Sequence, residues 1–242
     1  MIKRTVDIII SSIALALFSP LLFLFGTLIF LQDFKNPLYI AKRVGKEEKI
    51  YKMIKLRSMI VNADQSGVDS TSTDDVRITR IGSLVRKYKL DELTQLINVL
   101  KGDMSLVGPR PNVLYETNLY SSLEKKLLSV KPGITDFASI VFSDEGDILK
   151  DSKDPDLDYN QLIRPGKNIL GLFYIEKSNT PLDLYLCFLT LVAIISKSRA
   201  LYMMNSLLLF LKADPEITEI ALRDKPLVPR PPPGLDEIVS SR

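Results

Sequence analysis

Histidine is absent from this chain and cysteine occurs once. Without histidine there can be no Ser-His or Cys-His nucleophile pair, no imidazole base and none of the usual zinc sites, so acid-base chemistry falls to Asp, Glu, Lys or Tyr. The lone Cys187 lies in an apolar run, excludes an intramolecular disulfide framework and fits a reducing compartment, where a small buried hydrophobe is role enough for it. Net charge is small as well: 32 Lys and Arg against 29 Asp and Glu leave +3, too little to point to nucleic acid. The sequence has no GxxxxGK loop, no GxGxxG fingerprint and no internal repeat. At 242 residues it can bury one fair-sized core or a compact domain with appendages, and a large multidomain enzyme is excluded.

What the chain does have is apolar residues, 46% of the total beside 25% charged, and they are concentrated. The stretch from Ile8 to Leu31 carries no charge, long enough for a membrane helix and too long for a signal-peptide core. Both of its flanks are basic: Lys3 and Arg4 precede it, while Lys35, Lys42, Arg43 and further cations follow. A simple span satisfies the positive-inside rule at only one end. Ser19-Pro20 sits near the middle, where proline removes an amide donor and the serine hydroxyl can bond a freed carbonyl. Two readings follow from the residues alone, an ordinary span with a tolerated proline or a helix that bends there and returns to the face it entered from.

Beyond this segment, YKMIKLRSM reads as a strand with Lys55 and Arg57 on one face, either a solvated edge or phosphate ligands. Residues 62–75 are polar and aperiodic, predicting a mobile loop, and 77–89 read as an amphipathic helix suited to an anionic surface. Residues 112–130 predict a helix stopped by Lys131-Pro132-Gly133, 134–142 a strand and 144–147 a turn. Residues 183–195 and 201–211 are apolar helices too short to span a bilayer, hence core or half-sunk interfacial elements. The tail, with PLVPRPPPG at 226–234, is an extended strap or a disordered arm.

The densest chemistry lies in KLDELTQLINVLKGDMSLVGPRP, residues 89–111. Adjacent carboxylates, Asp91 and Glu92, stand where a short buried helix begins, and a rigid Gly108-Pro109-Arg110-Pro111 turn closes the stretch. A helix start would hold Asp91 ionised, and an ionised carboxylate facing a phosphate can be a nucleophile. The plainer use of such residues is an N-cap with ordinary acids in the first turn. Arg110 between two prolines offers a planar fork for phosphate oxygens.

These segments resemble the bacterial sugar transferases that are monotopic phosphoglycosyl transferases. The resemblance runs from Lys3 to about Arg199 through KR..D with Ser19-Pro20, KLRSM at 55–59, TRIG at 79–82, LDEL..L.NVL.GDMSLVGPRP at 90–111 and KPGIT at 131–135. It implies an α+β, mostly helical fold: a re-entrant membrane helix over 1–34, a compact cytosolic catalytic domain over 35–200 with short strands and interfacial amphipathic helices, and a C-terminal extension over 201–242. It also implies a cytoplasm-facing enzyme of the inner membrane that moves a sugar 1-phosphate from a UDP-sugar to polyprenyl phosphate with Mg2+ and releases UMP. By the same resemblance Asp91 is the nucleophile and Glu92 a magnesium ligand. Beside it, Lys55, Arg57, Arg86, Pro109, Arg110 and Pro111 are expected around the donor phosphates and nucleotide. Its partners are the two substrates and membrane lipid, not nucleic acid, and a homodimer is compatible with it. Lys89 and Thr94 depart from the family's usual residues beside Leu-Asp-Glu-Leu, and Asp136-Phe137-Ala138-Ser139 departs after KPGIT, so sugar preference does not transfer.

Two rivals stand beside the transferase. A non-catalytic scaffold recruiting partners through the proline-rich tail leaves Asp91, Glu92 and Arg110 without a purpose. A membrane-associated sugar-nucleotide pyrophosphatase uses the same donor and metal with water in place of the lipid.

Overall fold

A computed structural model describes residues 2–240, and in it helices dominate. The apolar run forms one helix, α1 (Ile2–Asp33), with Pro20 inside it. Proline has no N–H for the carbonyl of Ala16 one turn back, and the Ser19 hydroxyl donates to that carbonyl instead, at 2.9 Å. The expected break is therefore a proline site within continuous helix.

Both ends of α1 are fastened to the same folded body. At its start Lys3 pairs with Asp183 at 2.5 Å, Arg4 donates to the carbonyls of Val99 and Leu100, and Asp7 accepts from the Ser105 hydroxyl and the Leu106 amide. At its end Asp33 accepts two bonds from Arg57, at 2.5 and 2.7 Å, and Ile29 is buried in a cluster with Leu56, Val85 and Leu90. Between them Ile13, Leu17, Phe23 and Leu24 stay exposed.

Strands β1 (Leu38–Val44) and β2 (Ile50–Leu56) form an antiparallel hairpin in which Tyr39 faces Lys55 and Arg43 faces Tyr51. Asn98 completes the outer edge of β2 as a strand backbone would, donating to the Lys52 carbonyl at 2.7 Å and accepting from the Ile54 amide at 2.9 Å. The polar loop that follows is held rather than loose: Arg77 donates to Ser66, Val68, Ser70 and Asp75, gathering it around one guanidinium. Helix α2 (Arg80–Lys87) is capped by Thr79. Helices α3 (Leu90–Leu93) and α4 (Leu96–Lys101) follow, with Thr94 and Gln95 in helical conformation between them.

Strand β3 (Ser105–Val107) runs parallel to β4 (Gly133–Thr135). The two backbones approach so closely at Gly108 and Gly133 that a Cβ on Gly133 would lie 2.1 Å from the Gly108 nitrogen. This close approach fastens the Gly-Pro-Arg-Pro turn to the Lys-Pro-Gly turn.

Three expectations are corrected here. The single helix expected over 112–130 is divided into α5 (Leu114–Asn118) and a 3-10 helix, Glu124–Ser129, because Ser121 and Glu124 cap each other's amides between them. The strand expected over 134–142 ends at Thr135, where Asp136 accepts from the Ser139 amide and starts α6 (Phe137–Val141). The expected turn at 144–147 contains one turn of helix, α7 (Glu145–Ile148).

The chain continues through α8 (Pro155–Asp158), a π-helical turn (Tyr159–Ile163), α9 (Arg164–Lys177), α10 (Thr180–Ile195), α11 (Lys197–Phe210) and α12 (Pro215–Leu222). The boundary expected at residue 200 falls inside α11, because Ser196 caps that helix. The main core gathers Phe137, Ile140, Leu170, Tyr174, Leu186 and Leu189 with Met204, Leu208 and Ile220. Helices α10 and α11 turn one side to it and leave Leu184, Phe188, Leu191, Tyr202, Leu209 and Phe210 exposed. The tail is a strap: Arg230 donates to the Gln161 carbonyl, the Gln161 side chain to the Val239 carbonyl, and Ser121 to the Pro233 carbonyl.

Candidate active site

Asp91 and Glu92 occupy the single turn of α3, between the β1–β2 hairpin and the β3–β4 pair. Two hydrogen bonds of Thr94 hold the turn, one to the Asp91 carbonyl and one to the Ile54 carbonyl of β2. The N-cap position belongs to Lys89, in left-handed backbone conformation, so Asp91 is not itself a cap.

Asp91 is buried, and its Oδ1 has no hydrogen-bond partner. Burial raises its pKa above the ordinary carboxylate value; the Lys55 ammonium opposes the rise and the charge of Glu92 adds to it. The expected stabilisation of its anion by a helix start is not what governs it, since a four-residue helix has little dipole to offer.

Glu92 is set apart from its neighbour by Arg110. Arg110 grips it with two parallel bonds of 2.9 and 2.8 Å and donates to the Ile134 carbonyl of β4 at 2.9 Å. Burial pushes Glu92 upward, but the charges of Arg110 and Lys55 and the Arg110 bonds outweigh it, leaving the carboxyl well below its ordinary range. One of two adjacent carboxyls is thus held anionic, while the other is buried, unbonded at one oxygen and raised. Lys55 is drawn down by burial and up by both acids.

The structure brings Lys55, Asp91, Glu92 and Arg110 together, with the Pro109 carbonyl accepting from Gly133 at 3.0 Å and Pro111 completing the turn. Arg86, half-buried, lies within electrostatic reach of Asp91 and Asp75. Arg57 is elsewhere, 8% exposed and committed to Asp33. Ser19 and Pro20 lie in α1.

Further charged groups not singled out from the sequence surround Arg110. Asp136, at the start of α6, is fully buried and raised by that burial; Glu145 pairs with Lys167, which with Arg110 outweighs its burial and lowers it. Glu116 of α5 is pushed up to about 7 by burial, against the pull of Arg164. Arg43 and Tyr51 line the hairpin side.

Among the described residues no three acidic or cysteine side chains cluster to hold a metal alone. Magnesium commonly takes only one or two carboxylates and completes its shell with substrate phosphates and water. The Glu92 oxygens keep lone pairs beyond those used by Arg110, and the adjacent residue Asp91 has an oxygen without a hydrogen-bond partner, so the residues fit such an ion.

A family model described as "Bacterial sugar transferase" matches residues 1–197. The chain is 38% identical over 146 residues to the UDP-N-acetylgalactosamine-undecaprenyl-phosphate N-acetylgalactosaminephosphotransferase of Aeromonas hydrophila, covering 58% of this chain and 34% of that one. It is 39% identical over 141 residues to the UDP-glucose:undecaprenyl-phosphate glucose-1-phosphate transferase of Klebsiella pneumoniae, covering 57% and 30%. It is 36% identical over 148 residues to the exopolysaccharide production protein ExoY of Sinorhizobium fredii, covering 55% and 66%. The match thus spans about a third of the first two relatives and about two thirds of the last.

Proposed function

The chain belongs to the bacterial sugar transferase family, and from that premise we propose that it transfers a sugar 1-phosphate from a UDP-sugar to a polyprenyl phosphate at the membrane surface. The observation that carries the reading is the division of labour between adjacent carboxyls: Glu92 clamped by Arg110, and Asp91 buried with one oxygen unbonded and the Lys55 charge acting on it. An unsolvated, unbonded carboxylate oxygen is a strong nucleophile, and the Lys55 charge favours its ionised form against the burial.

Asp91 attacks the sugar-proximal phosphorus of the donor; the bond from that phosphorus to the bridging oxygen breaks, and UMP leaves with the electron pair. The product is a sugar phosphate joined to Asp91 as an acyl phosphate. An oxygen of the lipid phosphate then attacks the same phosphorus, and Asp91 departs as a carboxylate. Lys55 and Arg110 face the charge that develops on the phosphoryl oxygens in both displacements. Glu92 would hold a magnesium ion, which when bound would neutralise charge on the donor diphosphate. The two steps are separate, so donor and lipid need not share the site.

A placement on one face of the membrane agrees with the fold, and the basic residues on both flanks of α1 assign that face to the cytoplasm. A helix crossing the bilayer separates its ends by about 30 Å of hydrocarbon, whereas Lys3 and Asp33 are both bonded to one domain. Exposed apolar faces on α1, α10 and α11 supply the buried side of a surface-lying protein. The test is UMP release from a panel of UDP-sugars with magnesium, with and without polyprenyl phosphate. Release that depends on the lipid supports the transferase; release at full rate without it supports hydrolysis instead.

A further inference from the structure

The hairpin carries a cation, Arg43, that makes no salt bridge among the described residues. Residues directly opposite in an antiparallel pair share a face, so the Arg43–Tyr51 and Tyr39–Lys55 pairs point to the same side as the Lys55 that faces Asp91. The end of β1 is joined to the arginine turn: the amide of Val44, next to Arg43, donates to the carbonyl of Asn112, two residues past Arg110, at 3.0 Å. Arg110 is occupied by Glu92, and the charges of Asp91 and Glu92 both act on Lys55. Arg43 has no carboxylate in bonding distance among the described residues, and its hydrogen bond goes only to the carbonyl of Lys42. Opposite it the Tyr51 hydroxyl is buried without a partner, and the charges of Arg43 and Arg110 both act on that phenol. A half-buried guanidinium without a counter-ion beside an unbonded hydroxyl is a receptor for an anion.

We propose that Arg43, with the Tyr51 hydroxyl, binds the phosphate on the far side of the transferred phosphorus. That phosphate is the uridine-side phosphate of the donor in the first displacement and the lipid phosphate in the second. This inference rests on the transferase reading. It follows from the chemistry of two displacements at one phosphorus: UMP leaves from the side opposite Asp91, and the lipid phosphate must enter from that same side. The departing UMP and the entering polyprenyl phosphate are both phosphate monoesters. Arg43 is not needed to activate Asp91, so its contribution lies in holding the leaving and entering groups.

The test uses the full-length protein in detergent and compares wild type with Arg43→Gln, Arg43→Lys and Tyr51→Phe. UMP and uridine are the binding probes, read by calorimetry with magnesium present. UMP is expected to bind at least about tenfold more weakly to Arg43→Gln, the loss expected for a charge-assisted bond. Uridine affinity is expected to be unchanged, Arg43→Lys intermediate, and Tyr51→Phe weakened for UMP alone. The apparent KM for polyprenyl phosphate is expected to rise in Arg43→Gln, with a melting temperature close to wild type. Unchanged UMP affinity in Arg43→Gln overturns the proposal, as does an equal loss of UMP and uridine, or a KM for the lipid that does not move. A wild type that binds UMP but shows no lipid-dependent UMP release contradicts the transferase reading itself, an outcome separate from any effect of Arg43.

Discussion

Arg110 holds Glu92 by two parallel bonds across 18 residues of sequence, at 2.9 and 2.8 Å. The pair joins α3 to the arginine turn, so the acid beside the nucleophile is kept anionic by the residue best shaped to grip phosphate. Removing the guanidinium leaves Glu92 half-buried without its cation. Arg110→Ala should lower kcat/KM for the donor by roughly 10- to 100-fold, equivalent to about 1.5 to 3 kcal/mol. Arg110→Lys should recover only part of it, because a lysine cannot reproduce the fork. Steady-state kinetics checks this, and unchanged values return Arg110 to a purely structural role.

Asp91 is raised by burial and restrained by Lys55, with Glu92, Arg86 and Lys89 also facing it. The nucleophile works as an anion, so the acid limb of kcat/KM should lie above the ordinary carboxylate range. Lys55→Gln removes the main opposing charge and should move that limb to higher pH, with activity partly regained in alkaline buffer. A pH profile of both proteins decides it; a limb that stays put or moves to lower pH contradicts the role given to Lys55.

The same shift has a sign for stability. A carboxyl with a raised folded-state pKa favours the folded state below its unfolded value of about 3.8 and loses that contribution as pH rises through the folded value. At neutral pH Asp91 is therefore held at a cost, which Asp91→Asn removes. Asp91→Asn should melt at or slightly above wild type near pH 8, the partial loss of a partner for Lys55 keeping the gain small. A melting temperature clearly below wild type near pH 8 speaks against the penalty.

Glu124 and Arg164 form a pair with side chains 0% and 2% exposed, and Asn168 donates to the same carboxylate. Glu124→Ala leaves Arg164 charged and buried, so destabilisation of about 3 to 5 kcal/mol is expected, far more than for any surface pair. Denaturant unfolding measures it, and a change below about 1 kcal/mol contradicts the network.

The proline site of α1 carries a prediction of topology. With Ser19 and Pro20 replaced by alanine the segment regains the backbone bond to the Ala16 carbonyl and should insert as a span. In a Cys187→Ser background, single cysteines at positions 2 and 36 should both be shielded from an impermeant reagent outside intact cells. The alanine pair should expose position 2. Labelling of position 2 from outside without the alanines contradicts the re-entrant placement.

Residues close in sequence could be read before the fold was known, and residues paired across it could not. Asp91, Glu92 and the Pro109-Arg110-Pro111 turn announced themselves because charge and rigidity coincide within one short stretch. Arg57 looked equivalent to Lys55 by strand alternation, but β2 ends at Leu56 and Asp33, 24 residues earlier, claims the guanidinium. Arg43 read as one more basic flank of the apolar segment, since only the hairpin register places it opposite Tyr51. The division of the expected helix at 112–130 did have a local signal, the capping pair Ser121 and Glu124 three residues apart. The tail offered no periodicity, and its course is set by single bonds to Ser121 and Gln161.

The most direct test of the account is mass spectrometry of the wild-type protein after incubation with its UDP-sugar and magnesium, without lipid. The account predicts one sugar phosphate per chain, located on Asp91, absent from Asp91→Asn and discharged when polyprenyl phosphate is added. An adduct on another residue, or an Asp91→Asn protein that still turns over, contradicts it.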